Sequence, residues 1–257
     1  MSGRGYNIQK CKTVWELAFG LTSDKFQITT VSNVIEIYTK NEGLSLVYSL
    51  SGLSPFAEGG RRQCYIHPEY DERCIKVRRP DRPLEYLRSR RNFPKSIMPL
   101  ATFDDSRKEY RTMKELDSKL GNFLYKHVNH CYGFEETDLG AGLVCELITD
   151  ADGQISSSLR NHIEHFGYDN ACQAIVDDFS QFWLEVAIPY RGNFRLENLV
   201  VQKDRNGEPW RLVVIDDIGY SSSVPAWLLP RRHFMRKAEM KVDVLYQRIQ
   251  ALVSELV

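Results

Sequence analysis

Asn198-Leu199-Val200-Val201-Gln202-Lys203-Asp204-Arg205-Asn206-Gly207-Glu208-Pro209-Trp210-Arg211-Leu212-Val213-Val214-Ile215-Asp216 is the stretch on which the reading of this chain turns. Two apolar, β-rich runs, 199–203 and 211–215, flank a polar turn centred on Gly207. Pairing them as an antiparallel hairpin sets its two ends, Asn198 and Asp216, side by side. One amide and one carboxylate, with room for water and phosphate, suit a hard divalent ion such as Mg²⁺. The plainer account is that Asn198 caps a turn and Asp216 ends a strand. Asp217, which precedes Ile218-Gly219, is the alternative carboxylate.

Working outward from the hairpin, the upstream order adds weight to the metal reading. An extended run meets Glu58-Gly59-Gly60-Arg61-Arg62, then Gln63-Cys64-Tyr65-Ile66, a polar turn, and Cys74-Ile75-Lys76-Val77. That pattern is strand, glycine turn, strand, turn, strand. A glycine turn lets backbone N–H groups approach phosphates, a strand lysine such as Lys76 supplies positive charge, and a helix glutamate such as Glu109 can hold that lysine. Taken singly, Gly59-Gly60 is only a turn and Lys76 only a solvated lysine. The order of all five is what points to a nucleotide.

The remainder of the chain frames these elements. Val14–Gly20 reads as a short helix, and 26–31 with 34–39 as a hairpin around Ser32-Asn33. Residues 78–100 are rich in Arg and Pro and read as a loop. Tyr110, Met113, Leu116 and Leu120 recur at helical steps, and 141–148 reads as a strand. Ala171, Ile175, Phe179, Phe182 and Val186 form an apolar stripe ending at Pro189, and 233–257 reads as an amphipathic helix. Lys241 falls on that tail helix, outside the constellation. The expected fold is α+β: a β-rich extension over 1–50, an antiparallel-sheet lobe over 51–148 and a mainly helical lobe over 149–257.

Composition narrows the function classes. The 257 residues are 42% hydrophobic and 26% charged, which excludes disordered and collagen-like chains. Lys plus Arg and Asp plus Glu are 34 each, so no global charge draws the chain to nucleic acid. No apolar run approaches the roughly 18 residues of a membrane span. The six cysteines lack any Cys-x-x-Cys pair, which argues against structural zinc and a disulfide scaffold and points to the reducing cytoplasm.

Arg191-Gly192-Asn193-Phe194-Arg195-Leu196-Glu197-Asn198-Leu199-Val200 resembles the catalytic loop of kinases, H-R-D-L-K-P-E-N, and 214–219 resembles the strand that ends in their Mg²⁺-binding Asp. Gly60–Pro68, Arg73–Val77, Glu136–Val144 and Asp150–Gly153 are similar to the bacterial YrbL-like family named for the PhoP regulatory network. The resemblance covers about 53 to 245. It implies a bilobal kinase-like fold, with Gly59, Gly60 and Lys76 facing the phosphates of ATP and Glu109 partnering Lys76. It further implies that Glu146 and Leu147 offer backbone groups to adenine, and that Asn198 and Asp216 bind Mg²⁺. Arg195 stands where a kinase loop places a cation for the γ-phosphate. Asn193 stands in place of the catalytic Asp, and an amide cannot accept a proton near neutral pH. Two function classes follow: an atypical ATP-dependent phosphotransferase, in which Asn193 orients an unidentified acceptor, or a pseudokinase-type binding module with a protein or nucleic-acid partner.

Other clusters read less sharply. The basic run from Arg61 to Lys95 could attract nucleic acid or anionic lipid, or be a solvated loop. The acidic stretch from Glu135 to Asp152 lacks calcium-loop spacing. His127 with His130, and His162 with His165, are spaced to share helical faces but add no further zinc ligand.

Overall fold

Strand-like and helical hydrophobic periods interleave along this chain, with strands returning after helices at 131–146 and 199–214. A computed structural model describes residues 26–31, 34–39, 43–220 and 229–256. The expected helix over 14–20 lies outside the described residues. Two compact units result: the described residues up to Ile97 with Tyr132–Cys145, and Met98–Cys131 with Glu146–Val257. Residues 98–131, expected in the sheet lobe, group with the helices. The reason is packing: Met113, Leu116, Leu124 and Val128 share one buried cluster with Phe179, Phe182 and Trp183.

The first unit carries two sheets. Strands β1 (Phe26–Val31), β2 (Val34–Thr39) and β3 (Gly43–Tyr48) form an antiparallel meander, with Val31 opposite Val34 and Thr39 opposite Gly43. Strands β4 (Ala57–Glu58), β5 (Arg62–Ile66), β6 (Arg73–Arg78), β7 (Cys131–Glu135) and β8 (Gly142–Glu146) lie in the order β4-β5-β6-β8-β7. The β4–β5 and β5–β6 pairs are antiparallel, with Cys64 opposite Lys76. Gly142 permits the approach of β8 to β6, because a Cβ there would stand 2.3 Å from Ile75 Cγ2. The chain leaving β3 is clasped by Asp138, whose carboxylate accepts from the Leu50 N–H at 2.7 Å and the Ser51 hydroxyl at 2.6 Å. Part of the expected 78–100 loop is helical: α1 (Leu84–Ser89) is anchored by buried Leu87.

Side-chain caps start the helices of the second unit. Asp104 accepts from the N–H groups of Ser106 and Arg107 to begin α2 (Asp105–Leu120). Ser158 begins α3 (Leu159–Phe166), and Asp169 begins α4 (Asn170–Val186). The tail forms α5 (Arg231–Leu256). A sheet ordered β11-β10-β9 joins β9 (Ser157–Ser158), β10 (Leu199–Lys203) and β11 (Pro209–Val214), with both pairings antiparallel. The expected hairpin is therefore present, with Leu199 opposite Val214.

The histidines serve this core. His127 is fully buried and donates from Nδ1 to the Leu212 carbonyl at 2.8 Å. Burial lowers its pKa below the ordinary 6.5, although the Leu212 carbonyl and Asp178 oppose the shift. His162, buried on α3, is lowered by burial and by Lys203. His130 instead bonds Glu146 at 3.0 Å. Neutral histidines held below their unfolded pKa give stability that is present above pH 6.5 and lost as the pH falls through the folded values. Thermal melts should fall below pH 6.5, and the His127→Gln/His162→Leu double variant should show a shallower fall. Parallel pH profiles for the two proteins would remove both residues from the acid response.

Candidate functional site

Residues 193–197 alternate as a strand does, although they form a loop. Phe194 and Leu196 are buried while Asn193, Arg195 and Glu197 are exposed. The Phe194 ring lies 4.8 Å from Trp183, 5.2 Å from Phe179 and 4.8 Å from Tyr190, centroid to centroid. Burying such a ring is worth several times RT, which fixes the loop and turns its polar neighbours outward. A short 3-10 turn, Leu196–Asn198, then feeds β10.

The hairpin places its two ends. Beyond the Leu199–Val214 pair, the Ile215 N–H donates to the Asn198 carbonyl at 3.1 Å. The side chain of Asn198 then meets Asp217, Nδ2 to Oδ2 at 3.2 Å. This differs from the expected pairing with Asp216. The carboxylate of Asp216 bends back to accept the Asp217 N–H at 2.6 Å, and Asp217 itself adopts a left-handed φ of 66°. That backbone turn swings the second carboxylate toward Asn198. Ala187 and Asp217 are the non-glycine residues with positive φ among the described ones, and they bracket the loop on either side. Left-handed non-glycine backbone costs about 1–2 kcal/mol, so the core must hold it in place.

Arg191 ties these pieces together. Its N–H donates to the Asp217 carbonyl at 3.0 Å, and its guanidinium donates to Asp105 at 2.9 Å and lies 3.6 Å from Glu109. Both acids belong to α2, and Glu109 is buried. Gly219, with φ 149°, leaves room for the Arg191 side chain, which a Cβ would meet at 3.4 Å. Tyr190 is buried beside the loop, and burial followed by the Asp217 charge pushes its hydroxyl pKa up. From α5, Lys241 donates to the Gly192 carbonyl and Arg248 to the Phe194 carbonyl, one on each side of Asn193. Seven residues apart, they share a helix face. Lys241, read from sequence as outside the constellation, is thus part of its support. Burial, with Lys237 adding to it, brings its ammonium down to about 8.

A family model for the PhoP regulatory network protein YrbL matches residues 48–250. The chain belongs to the YrbL family. It is 27% identical over 194 residues to the YrbL proteins of Escherichia coli strain K12 and Shigella flexneri, covering 74% of this chain and 82% of each relative. Among solved structures, the PknI kinase domain of Mycobacterium tuberculosis aligns at 13% identity and TM-score 0.38, over 67% of this chain and 60% of that one. A Rad53 structure in complex with AMP-PNP aligns at 12% and 0.35, over 97% and 52%. This chain therefore spans less than two thirds of either solved chain.

The remaining expected residues of this YrbL-family chain fall in both units. In the first, Gly59 and Gly60 form the exposed turn between β4 and β5, and Lys76 is buried on β6. The carbonyl of Gly59 accepts from Arg79, whose guanidinium also holds Glu58 and Asp81. In the second unit, the Glu146 N–H donates to the His130 carbonyl at 2.9 Å, its carboxylate holds the His130 N–H and ring, and Arg211 lies 3.5 Å away. Leu147 follows it, buried. Exposed Arg195 lines a pocket with Arg160 and Arg248. The support that Arg191, Lys241 and Arg248 give to the loop was missed in the sequence. Arg191 carried a signal, since it sits inside the quoted loop. Removing it as Arg191→Met should cost about 1–3 kcal/mol, because partly buried Asp105 loses its cation. Urea denaturation of the wild type, both single variants and the Arg191→Met/Asp105→Asn double variant measures this. Strict additivity would show that the pair is uncoupled.

Proposed function

We propose that this chain is a kinase-like protein that binds ATP with Mg²⁺, with Asn198 and Asp217 as the metal-holding side chains. The contact between those two residues, set by the hairpin and the left-handed Asp217, carries the reading. The donor set fits the ion. Asn198 directs its NH₂ at Asp217, which leaves its carbonyl oxygen for a hard cation, and magnesium favours one or two protein oxygens completed by phosphate and water. When bound, the ion would neutralise charge on the phosphates.

The glycine turn supports the same reading. A Cβ at Gly60 would meet nothing within 4 Å, and one at Gly59 would make only an ordinary contact at 3.7 Å. Neither position needs left-handed backbone. Folding alone gives no reason for two glycines there, whereas close approach of a phosphate does. Gly60→Ala should therefore keep or slightly raise stability, by up to about 1 kcal/mol, and yet weaken ATP binding. Lys76→Met should weaken it by about tenfold or more, as loss of a charge-assisted contact, against Arg205→Ala as control. Calorimetric titration that gives Gly60→Ala and Lys76→Met the same affinity as the control would show that neither residue takes part in nucleotide binding.

Asn193 separates enzyme from binder. Its exposed amide can orient an acceptor hydroxyl but cannot take the proton, and phosphoryl transfer tolerates that loss better than most reactions. The missing base is the observation that favours a pseudokinase-type binding module as the second reading. Asp217→Asn is the control, because Asn tolerates the left-handed region and keeps the side-chain size. It should retain the fold and lose the Mg²⁺-dependent part of the ATP-induced thermal shift, about 5 °C or more at saturating nucleotide. Asn193→Asp should leave that shift nearly unchanged and raise phosphate transfer or release by about a hundredfold. No gain in turnover, with the shift intact, assigns the chain to the binding module.

A further inference from the structure

We propose that the segment from Arg88 to Ile97 is a docking surface for an anionic phospholipid bilayer. It begins at the end of α1, a helix of the first unit in which Leu87 is buried. Between Glu85 and Asp104 the sequence has no acidic residue. Within it Arg88, Arg90, Arg91 and Lys95 enter no ion pair among the described residues, whereas neighbouring Arg79 and Arg82 are engaged by Asp81. Four cations are thus left to a partner.

Two apolar side chains stand among them. Phe93 is 79% exposed and Ile97 73% exposed, more than any other large hydrophobic residue described. Next in exposure is Phe166 at 64%, and its ring is covered by the Lys203 ammonium at 3.7 Å. Keeping two large apolar groups in water is unfavourable unless something takes them up. Side chains so exposed reach solvent, and apolar groups interspersed in sequence with cations suit entry into the headgroup layer. Phospholipid answers both demands, with phosphate for the arginines and acyl chain for Phe93 and Ile97.

Nucleic acid answers only the first. Stacking needs aromatic faces, and Phe93 supplies one while Ile97 has none. Tyr86, the other ring nearby, is held by Arg82, whose guanidinium donates to its hydroxyl at 2.6 Å. The surface is independent of the nucleotide reading, so either can fail alone.

The test is sedimentation of the full chain with vesicles of phosphatidylcholine alone, or of phosphatidylcholine mixed with phosphatidylglycerol. Binding should appear on the mixed vesicles only and fall with added salt, as surface charges are screened within about 10 Å at 0.1 M. Arg90→Gln/Arg91→Gln/Lys95→Gln should weaken it by about a hundredfold, at roughly fivefold per cation. Phe93→Ser/Ile97→Ser, which leaves the charge unchanged, should weaken it by about tenfold. Arg205→Gln is the off-patch control, and unchanged melting curves show that the variants fold. Absence of binding, equal binding to both vesicles, or wild-type binding by the Phe93→Ser/Ile97→Ser protein overturns the proposal. Tighter binding to single-stranded RNA than to the mixed vesicles does so too.

Discussion

Leu199 faces Val214 across the β10–β11 hairpin, and the polar groups at the end of that hairpin depend on this register. Leu199, Val201, Leu212 and Val214 all point into the buried cluster of the second unit. A slip of one residue would exchange this set with Val200 and Val213, which pack with Ile148 in a separate buried cluster, so the register is set by apolar packing on both faces and not by anything at the site. Once it is set, Asn198 must emerge opposite Ile215, and only two residues remain before the chain pairs again at Ile218 with Tyr190. Asp217 occupies that short span in a left-handed conformation. Its contact with Asn198 is thus maintained by hydrophobic packing elsewhere in the unit.

The same logic explains how Asn193 can be presented by a segment that is itself neither helix nor strand. Phe194 is sunk among Trp183, Phe179 and Tyr190, and the two carbonyls flanking Asn193 are held by cations from α5. A buried ring fixes position and the two carbonyl contacts fix orientation. Arg191 then couples the loop to α2 and to the Asp217 backbone. An amide held in this way can align a hydroxyl through hydrogen bonds, and alignment is the larger part of what phosphoryl transfer asks of a protein.

Much of this was legible in the sequence because it is periodic. The strand, glycine turn and strand around Gly59-Gly60, the placement of Lys76 on a third strand, the Asn170–Val186 helix and the 199–214 hairpin all follow from spacing and turn residues. What escaped has no period. Which carboxylate the Asn198 amide meets depends on a backbone angle, and the apolar run ends before both candidates at Ile215. Lys241 and Arg248 reach the loop from a helix whose placement is set by its apolar face, so their polar targets could not be read locally. Helix α3 is only eight residues long, below the length at which periodicity separates it from a loop. The grouping of 98–131 with the helical unit is a packing outcome that no local signal announces.

The composition of the Asn198–Asp217 pair constrains how a metal would be held. An amide contributes no net charge, and Asp216 already accepts the neighbouring N–H through one of its oxygens. One well-placed carboxylate with an amide is a poor trap for Mg²⁺ in water, because the ion surrenders its hydration shell reluctantly. Phosphate oxygens supply the missing charge. Metal and nucleotide affinities at such a site are then linked, each raising the other by the same factor. A site with three or four carboxylates would hold the ion permanently and gain little from the nucleotide. With so sparse a donor set, ion binding would report nucleotide occupancy, a property that would serve a transferase and a nucleotide-responsive binding module equally well.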